Sequence, residues 1–209
     1  MEIRVNPTRM EMLRLKRRVT MAVRGHRLLK DKRDQLMKEF LKLIRENKAL
    51  REELEGKLNK AFQSFLIANA MMSSEVLEEA LMYSQGQTAV DVKLATTMGV
   101  TVPKFELQKQ GEEGDVYSYG FVGTSSELDA SLGIFEAVLP LMLKLAEVEK
   151  AVELMADEIE KTRRRVNALE YVMIPNLQKT VKSIAMKLSE QERSNTTRLM
   201  KIKDIVRGN

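Results

Sequence analysis

Few residues in this chain have the type and spacing that catalysis requires. His26 is the only histidine and there is no cysteine, which excludes a multi-histidine metal site and any thiolate site. The stretch Gly111–Gly114 (Gly-Glu-Glu-Gly) places carboxylates where a phosphate-binding loop needs amide donors and a lysine. Glu158 and Glu160 lie in a charged stretch and indicate a solvated helix face. We therefore expect no catalytic residue, no metal and no cofactor.

The most distinctive local feature is a run of three arginines, Arg163–Arg165. Three successive helix positions spread over roughly 200° of the helix circumference, so they do not form one flat patch. One interpretation is a solvated face beside a helix seam. The other is contact with a protein partner, since a guanidinium group binds a carboxylate through two parallel hydrogen bonds. The candidate partner-contact residues are basic and come from two segments: Arg14, Arg17, Arg18, Arg24, Arg163, Arg164 and Arg165.

The composition indicates that long helices position these residues. Of the 209 residues, 31% are charged, 5% are aromatic and none is Trp, a mixture typical of helical rods and coiled coils. No proline falls between Pro7 and Pro103, and six of the ten glycines lie between Gly86 and Gly123. The chain is thus predicted to be mainly α, with a long helical segment at 1–83, a glycine-rich insert at 84–125 and a second long helical segment at 126–209.

The first helix is predicted from its start signals and its heptad pattern. Either Asn6 caps it with Pro7 at the first helical position, or Thr8 and Glu11 form a capping box. It is predicted to run to about Tyr83, a rod of roughly 110 Å. The heptad pattern has two seam columns: Met12, Val19, His26, Arg33, Phe40, Asn47, Leu54, Ala61 and Ala68, and then Leu15, Ala22, Leu29, Leu36, Leu43 and Leu50. Met37, Ile44, Leu58 and Phe65 widen this stripe, as expected for a helix that also meets partners.

The second helix is predicted to begin at a Thr124–Glu127 capping box. Its seam runs through Leu145, Val148, Val152, Met155, Ile159, Thr162, Val166, Leu169 and Met173, and it continues through Leu177, Val181, Ile184, Leu188, Leu199 and Ile202. Consecutive steps of four after Leu169 form a stutter, which locally unwinds a supercoil. Pro140 and Pro175 are predicted to bend or loosen the helix. Polar seam residues (His26, Arg33, Asn47, Thr162) are predicted to specify alignment.

The insert contains a β pattern. Residues 89–102 alternate around Gly99 and are rich in β-branched side chains, which predicts short strands or a hairpin, followed by a loop through Gly111–Gly120.

The two ends of the chain are basic. Residues 1–33 hold eleven Lys and Arg against three acids, and residues 193–209 hold five against one. If the two helices fold back on each other, an antiparallel coiled-coil hairpin with a short β-hairpin insert results, and its basic ends meet at one tip. Such a tip could bind nucleic acid, lie on an anionic membrane or enter an acidic or mixed protein cavity. No apolar run reaches the length of a membrane span, and a cytoplasmic protein is expected.

Two parts of the sequence are similar to a known family. NPTRME at 6–11, LRLK at 13–16 and RGHRLLKDKRD at 24–34 resemble the start of the D subunit of the vacuolar/archaeal-type (V/A-type) rotary ATPases. LAEVEK at 145–150, MADEIEKTRRRVNALEY at 155–171 and Ile174-Pro175 resemble the C-terminal helix of the same family. The resemblance covers nearly the whole chain and is weakest at about 84–125.

The resemblance implies a non-catalytic central-stalk rotor shaft of a bacterial or archaeal complex. Its paired termini would enter a hexameric ring of catalytic and non-catalytic subunits. A small companion stalk subunit and a funnel-like subunit of the membrane rotor would bind elsewhere on it. The chain would be peripheral to the membrane without inserting into it, and it would bind no nucleic acid. Without the resemblance, the alternatives are a structural coiled-coil adaptor and a basic hairpin that binds a membrane surface or nucleic acid.

Overall fold

The computed structural model describes residues 6–82, 87–110, 119–120 and 123–208. In chain order it contains α1 (Arg9–Met71), α2 (Ser74–Met82), β1 (Gln87–Thr97), β2 (Val100–Gln110), α3 (Ser126–Asn167), a π-helical turn (Ala168–Met173) and α4 (Ile174–Arg207). The predicted fold class, a helical hairpin with a short β-hairpin between its helices, is confirmed.

Thr8 caps α1, but the predicted capping box is not completed, because the Thr8 N–H donates to the backbone oxygen of Asn6 and the Glu11 carboxylate accepts from Arg14. α1 starts at Arg9, and the backbone N–H of Glu11 donates to Oγ1 of Thr8 over 3.2 Å. Thr8 is therefore the N-cap, and Asn6 and Pro7 precede the helix. The hydroxyl satisfies one of the free N–H groups of the first turn.

The heptad columns of α1 coincide with its less exposed positions. Every residue of both columns is buried or half-buried, and Leu15, Leu36, Leu54, Ala61 and Ala68 are buried. Of the four stripe-widening residues, Leu58 and Phe65 are half-buried, whereas Met37 and Ile44 are exposed. The period of 3.5 therefore locates the packed side of α1.

The prediction of one helix as far as Tyr83 was wrong. α1 ends at Met71, α2 begins at Ser74, and Tyr83 lies outside the described residues. Met72 and Ser73 occupy the break, and Ser74 is the first residue of α2. Serine competes with the helical backbone for hydrogen bonds and favours a helix start over a helix interior.

The insert forms an antiparallel hairpin with longer strands than the sequence pattern predicted. Thr97 pairs with Val100 across a two-residue turn of Met98 (φ 55°) and Gly99 (φ 81°). Positive φ at both central residues defines the turn whose twist matches that of paired strands. The loop predicted through Gly111–Gly120 lies outside the described residues except for Tyr119 and Gly120.

Thr124 does not cap the second helix, so the capping-box prediction was wrong. α3 begins at Ser126, the first residue of the segment predicted at 126–209, and the Thr124 hydroxyl donates to the backbone oxygen of Gly120 over 3.2 Å. Position 125 precedes the first helical residue, and the N–H of Leu128 donates to the backbone oxygen of Ser125 over 3.0 Å. Thr124 is thus used to close the preceding loop.

The stutter in the second helix is accommodated by the π-helical turn. Pro175 has no N–H and its ring crowds the carbonyl of residue 171, which disfavours a regular α-turn just before it. The N–H of Ile174 instead donates to Leu169, five residues earlier. Because this turn contains an extra residue, Leu169 and Leu177 both face inwards, while Met173, which was predicted to lie in the seam, is 52% exposed. α3 runs through Pro140 without interruption.

The chain divides into two compact units by packing. Unit 1 comprises Met1–Gln35 and Ile159–Asn209, and its core contains Leu15, Leu177 and Ile184. Unit 2 comprises Leu36–Glu158. One of its core clusters contains Ala68, Leu77, Ala80 and Leu128.

Within unit 2, the parts of α1 and α3 that pack together are antiparallel. The Phe62 and Phe135 rings meet edge to face at 5.6 Å, and the Arg51 guanidinium donates to Glu149 over 2.5 Å.

On the exposed face of α1, a hydrogen bond from Lys57 and its positive charge lower the pKa of Glu53. No helix in the described parts of the chain is long and apolar enough to cross a membrane.

Candidate interaction surfaces

The two terminal helical segments lie side by side in unit 1. The Arg9 guanidinium, in the first turn of α1, donates to the Glu192 carboxylate of α4. Further along, Leu15 packs with Leu177 and Ile184, and Nε2 of His26 lies 3.3 Å from Oε2 of Glu170. As the residue number rises along α1, the partner number falls, so the segments are antiparallel.

Unit 1 is strongly basic. Its residues include 23 Lys and Arg against nine Asp and Glu, a net charge of +14, whereas unit 2 has 12 against 21, a net charge of −9. Arg14, Arg17, Arg18 and Arg24 are all exposed on α1. Arg14 pairs with Glu11 at 3.3 Å, and the other three form no ion pair within the described residues. The predicted N-terminal contact residues are therefore accessible cations.

Arg163, Arg164 and Arg165 also belong to unit 1, and all three are exposed. Arg164 pairs with Glu160, one turn earlier on α3. Because His26 lies beside Glu170, the antiparallel register places these three arginines beyond His26 and away from Arg14, Arg17 and Arg18. The two predicted groups of arginines therefore form separate basic surfaces.

The four polar seam residues differ in burial and in partners. Thr162 is 1% exposed, and His26, Arg33 and Asn47 are half-buried. Arg33 donates to its neighbour Asp34 at 2.7 Å and has no ion pair across the seam within the described residues. Their role in specifying alignment stays a prediction.

A groove that the sequence pattern did not predict opens between α1 and the π-helical turn of unit 1. This Gly25 groove has a volume of about 630 Å³. Arg18, Met21 and Gly25 line its α1 side, and Val172, Met173 and Asn176 line the other. The sequence signal for the groove was the four-residue spacing of the apolar positions after Leu169, because this spacing required the helix to change pitch there.

The last part of α4 extends past the residue that pairs with the start of α1. All residues from 193 to 207 are exposed, including the apolar Leu199, Ile202, Ile205 and Val206. This segment alternates apolar positions with Arg198, Lys201 and Lys203 and is accessible on all sides.

Comparison with known proteins gives the family directly. The family profile described as the D subunit of ATP synthase matches residues 11–204. The chain belongs to the D-subunit family of V-type ATP synthases. The V-type ATP synthase D subunit of Thermoanaerobacter sp. (strain X514) is 56% identical over 204 residues, covering 98% of this chain and 97% of the relative.

Other members of the D-subunit family match over a similar extent. The V-type ATP synthase D subunit of Acetivibrio thermocellus is 57% identical over 205 residues, which is 98% of this chain and 92% of the relative. That of Clostridium botulinum (strain ATCC 19397 / Type A) is 53% identical over 208 residues, which is 99% of this chain and 96% of the relative. The range matched by the family profile, 11–204, spans the residues of this chain that form both basic surfaces, the Gly25 groove and the hairpin.

In this member of the D-subunit family, the β-hairpin presents a second apolar surface. Val90, Val92 and Leu94 of β1 share one face and are exposed. On the other strand, the N–H of Phe105 donates to the Glu147 carboxylate of α3 over 3.3 Å, which holds β2 against that helix. A hydrogen bond from Lys93 to Glu106 (2.5 Å) and the charge of that carboxylate raise the pKa of Lys93. The described residues contain no cluster of three or more metal-binding side chains.

Proposed function

We propose that this chain is the central rotor shaft of a V/A-type rotary ATPase. It transmits torque between the hexamer that hydrolyses or synthesises ATP and the ion-translocating rotor in the membrane. The observation that supports this most directly is the pairing of the two terminal segments, with Arg9 bound to Glu192, within a unit of net charge +14 in a member of the D-subunit family.

Each unit has its own partners in this proposal. Unit 1, with Arg14, Arg17, Arg18, Arg24 and Arg163–Arg165, enters the ring of catalytic and non-catalytic subunits. Unit 2 binds the small companion stalk subunit and the funnel-like subunit of the membrane rotor. The chain itself is non-catalytic, because the nucleotide sites belong to the ring, and it is a cytoplasmic protein peripheral to the membrane.

The packing of the two helices is suited to torque. Two helices that share a seam resist twisting better than one, because a twist must shift side chains such as Leu15 and Leu177 against each other. The faces of unit 1 also differ, because the apolar groove is bordered by Arg18 of the α1 arginines, whereas Arg163–Arg165 lie on a separate surface. Such a shaft presents a different surface to each member of the ring and biases its conformation through differential contacts.

Single-molecule rotation tests the proposal. The chain has no cysteine, so Asn59→Cys on an exposed position of unit 2 gives one attachment point for a bead. We expect the bead to rotate in one direction when ATP is added to the immobilised ring carrying this chain. A bead that stays still while the ring hydrolyses ATP would reject a rotor function. Salt-sensitive binding of the chain to DNA or anionic vesicles, without binding to the ring, would favour the other readings of its basic surface.

The basic surface of α1 has its own test. Arg14, Arg17 and Arg18 are changed together to Glu, and the control changes the same three to Lys. We expect the Glu variant to lose more ATP-driven rotation than the Lys variant, because an exposed cation of either type preserves long-range attraction to an acidic surface. Equal rotation of both variants would count against contact by these residues.

A further inference from the structure

The Gly25 groove is an apolar surface that this chain leaves uncovered. Met21 is 74% exposed, and Val172 and Met173 are 57% and 52% exposed. A Cβ atom built on Gly25 would meet nothing within 4 Å, so the floor of the groove is open. Exposed apolar patches of this kind mark interaction sites, and methionine side chains adapt to the shape of a bound group.

The polar residues of the groove define what fits it. Arg18 is an exposed cation that lines the groove, and Asn176 supplies an amide on the opposite side. No carboxylate lines the groove, and within the described residues Arg18 forms no ion pair. A carboxylate on the occupant would satisfy Arg18, since charge-assisted hydrogen bonds to guanidinium are strong and directional.

We propose that the Gly25 groove binds an apolar side chain next to an Asp or Glu, presented by a subunit of the ATPase ring. The apolar group lies against Met21, Val172 and Met173, and the carboxylate pairs with Arg18. A protein occupant with both features is complementary to the apolar walls and to the net charge of +14 of unit 1. This inference rests on the proposed function, because it takes the ring as the partner.

Two glycines of α1 provide a matched test. Gly25 and Gly56 both lie inside α1, and neither has an atom within 4 Å of an added Cβ, but only Gly25 lines the groove. Leucine is a better helix former than glycine, so Gly25→Leu and Gly56→Leu are both expected to keep the helix. Gly25→Leu fills the groove with a side chain of its own, and Gly56→Leu is the control.

A second pair of variants tests the charge. Arg18→Glu reverses the cation that lines the groove, and Arg17→Glu reverses its exposed neighbour, which does not line it. Each full-length variant is titrated against the immobilised ring and its affinity compared with that of the parent chain. We expect Gly25→Leu and Arg18→Glu to weaken binding about tenfold, which is ~1.4 kcal/mol. Gly56→Leu is expected to bind like the parent chain, and Arg17→Glu to lose less affinity than Arg18→Glu.

The possible outcomes separate this inference from the proposed function. If the parent chain binds the ring and rotates but Gly25→Leu and Arg18→Glu bind equally well, the groove is not a docking site and the rotor function stands. Equal losses for both leucine variants, or for both glutamate variants, would also reject it. If the parent chain does not bind the ring, both proposals fail. Dimerisation of the parent chain in sedimentation experiments that Gly25→Leu abolishes would identify a second copy as the occupant and overturn the ring as the partner.

Discussion

Nε2 of His26 lies 3.3 Å from Oε2 of Glu170, which joins α1 to the π-helical turn between α3 and α4. The imidazole is half-buried and the carboxylate is about half exposed. The only histidine of the chain thus contacts an acid across the seam of unit 1.

We expect His26 and Glu170 to be weakly coupled across the seam of unit 1. A double-mutant cycle with His26→Leu and Glu170→Gln, followed by chemical denaturation, should give a coupling free energy below about 1 kcal/mol, because the pair is partly solvated. A coupling free energy of zero would show that this contact does not contribute to the stability of unit 1.

Two nearby leucines should differ sharply in their contribution to stability. Leu15 is 2% exposed in the core of unit 1, and Leu13 is 56% exposed on the same helix. Leu15→Ala is expected to lower the free energy of unfolding of unit 1 by about 2–4 kcal/mol, because it removes buried methyl groups and leaves a cavity. Leu13→Ala should change it by less than about 0.5 kcal/mol. Amide hydrogen exchange of α4 reports the difference, and similar exchange in both variants would refute this core.

The turn of the hairpin should respond in opposite directions to two substitutions. Met98 and Gly99 both have positive φ, which asparagine and glycine tolerate best. Met98→Asn is expected to stabilise the hairpin by roughly 0.5–1 kcal/mol, and Gly99→Ala to destabilise it by about 1–2 kcal/mol. Amide exchange between β1 and β2 measures both effects. A stabilised hairpin in Gly99→Ala would mean that the turn has another conformation in solution.

We expect Asn47 to specify the register of the two helices in unit 2 at a cost in thermal stability. It is half-buried in the seam of unit 2, near the Arg51–Glu149 pair that marks the register. Asn47→Leu is expected to raise the melting temperature, because an apolar seam residue packs better, and to permit a shift of one heptad. Cysteines at 51 and 149, joined by a short thiol-specific crosslinker, report the parent register, and cysteines at 51 and 156 report a shifted one. Formation of only the 51–149 crosslink in Asn47→Leu would show that Asn47 does not specify alignment.

Much of the fold could be predicted because heptad patterns and turn signals act locally. The spacing of Leu15, Leu36 and Leu54 located the packed side of α1, and Gly99 located the turn of the hairpin. The break at Ser73 was missed because two serines in a helical pattern are only a weak signal against a long apolar repeat. Thr124 was misassigned because the capping-box pattern does not reveal that its hydroxyl has an alternative acceptor in Gly120.

By itself, the sequence determined the helical character, the seam of each helix, the β-hairpin and the basic termini, because periodicity and charge are properties of neighbouring residues. The tertiary structure decided which residues meet across the seam: Arg9 with Glu192, and His26 with Glu170. It also decided how the stutter is absorbed, since packing of Leu169 and Leu177 on one side requires the π-helical turn and leaves Met173 exposed. The Gly25 groove follows from that turn, so only the folded chain reveals it.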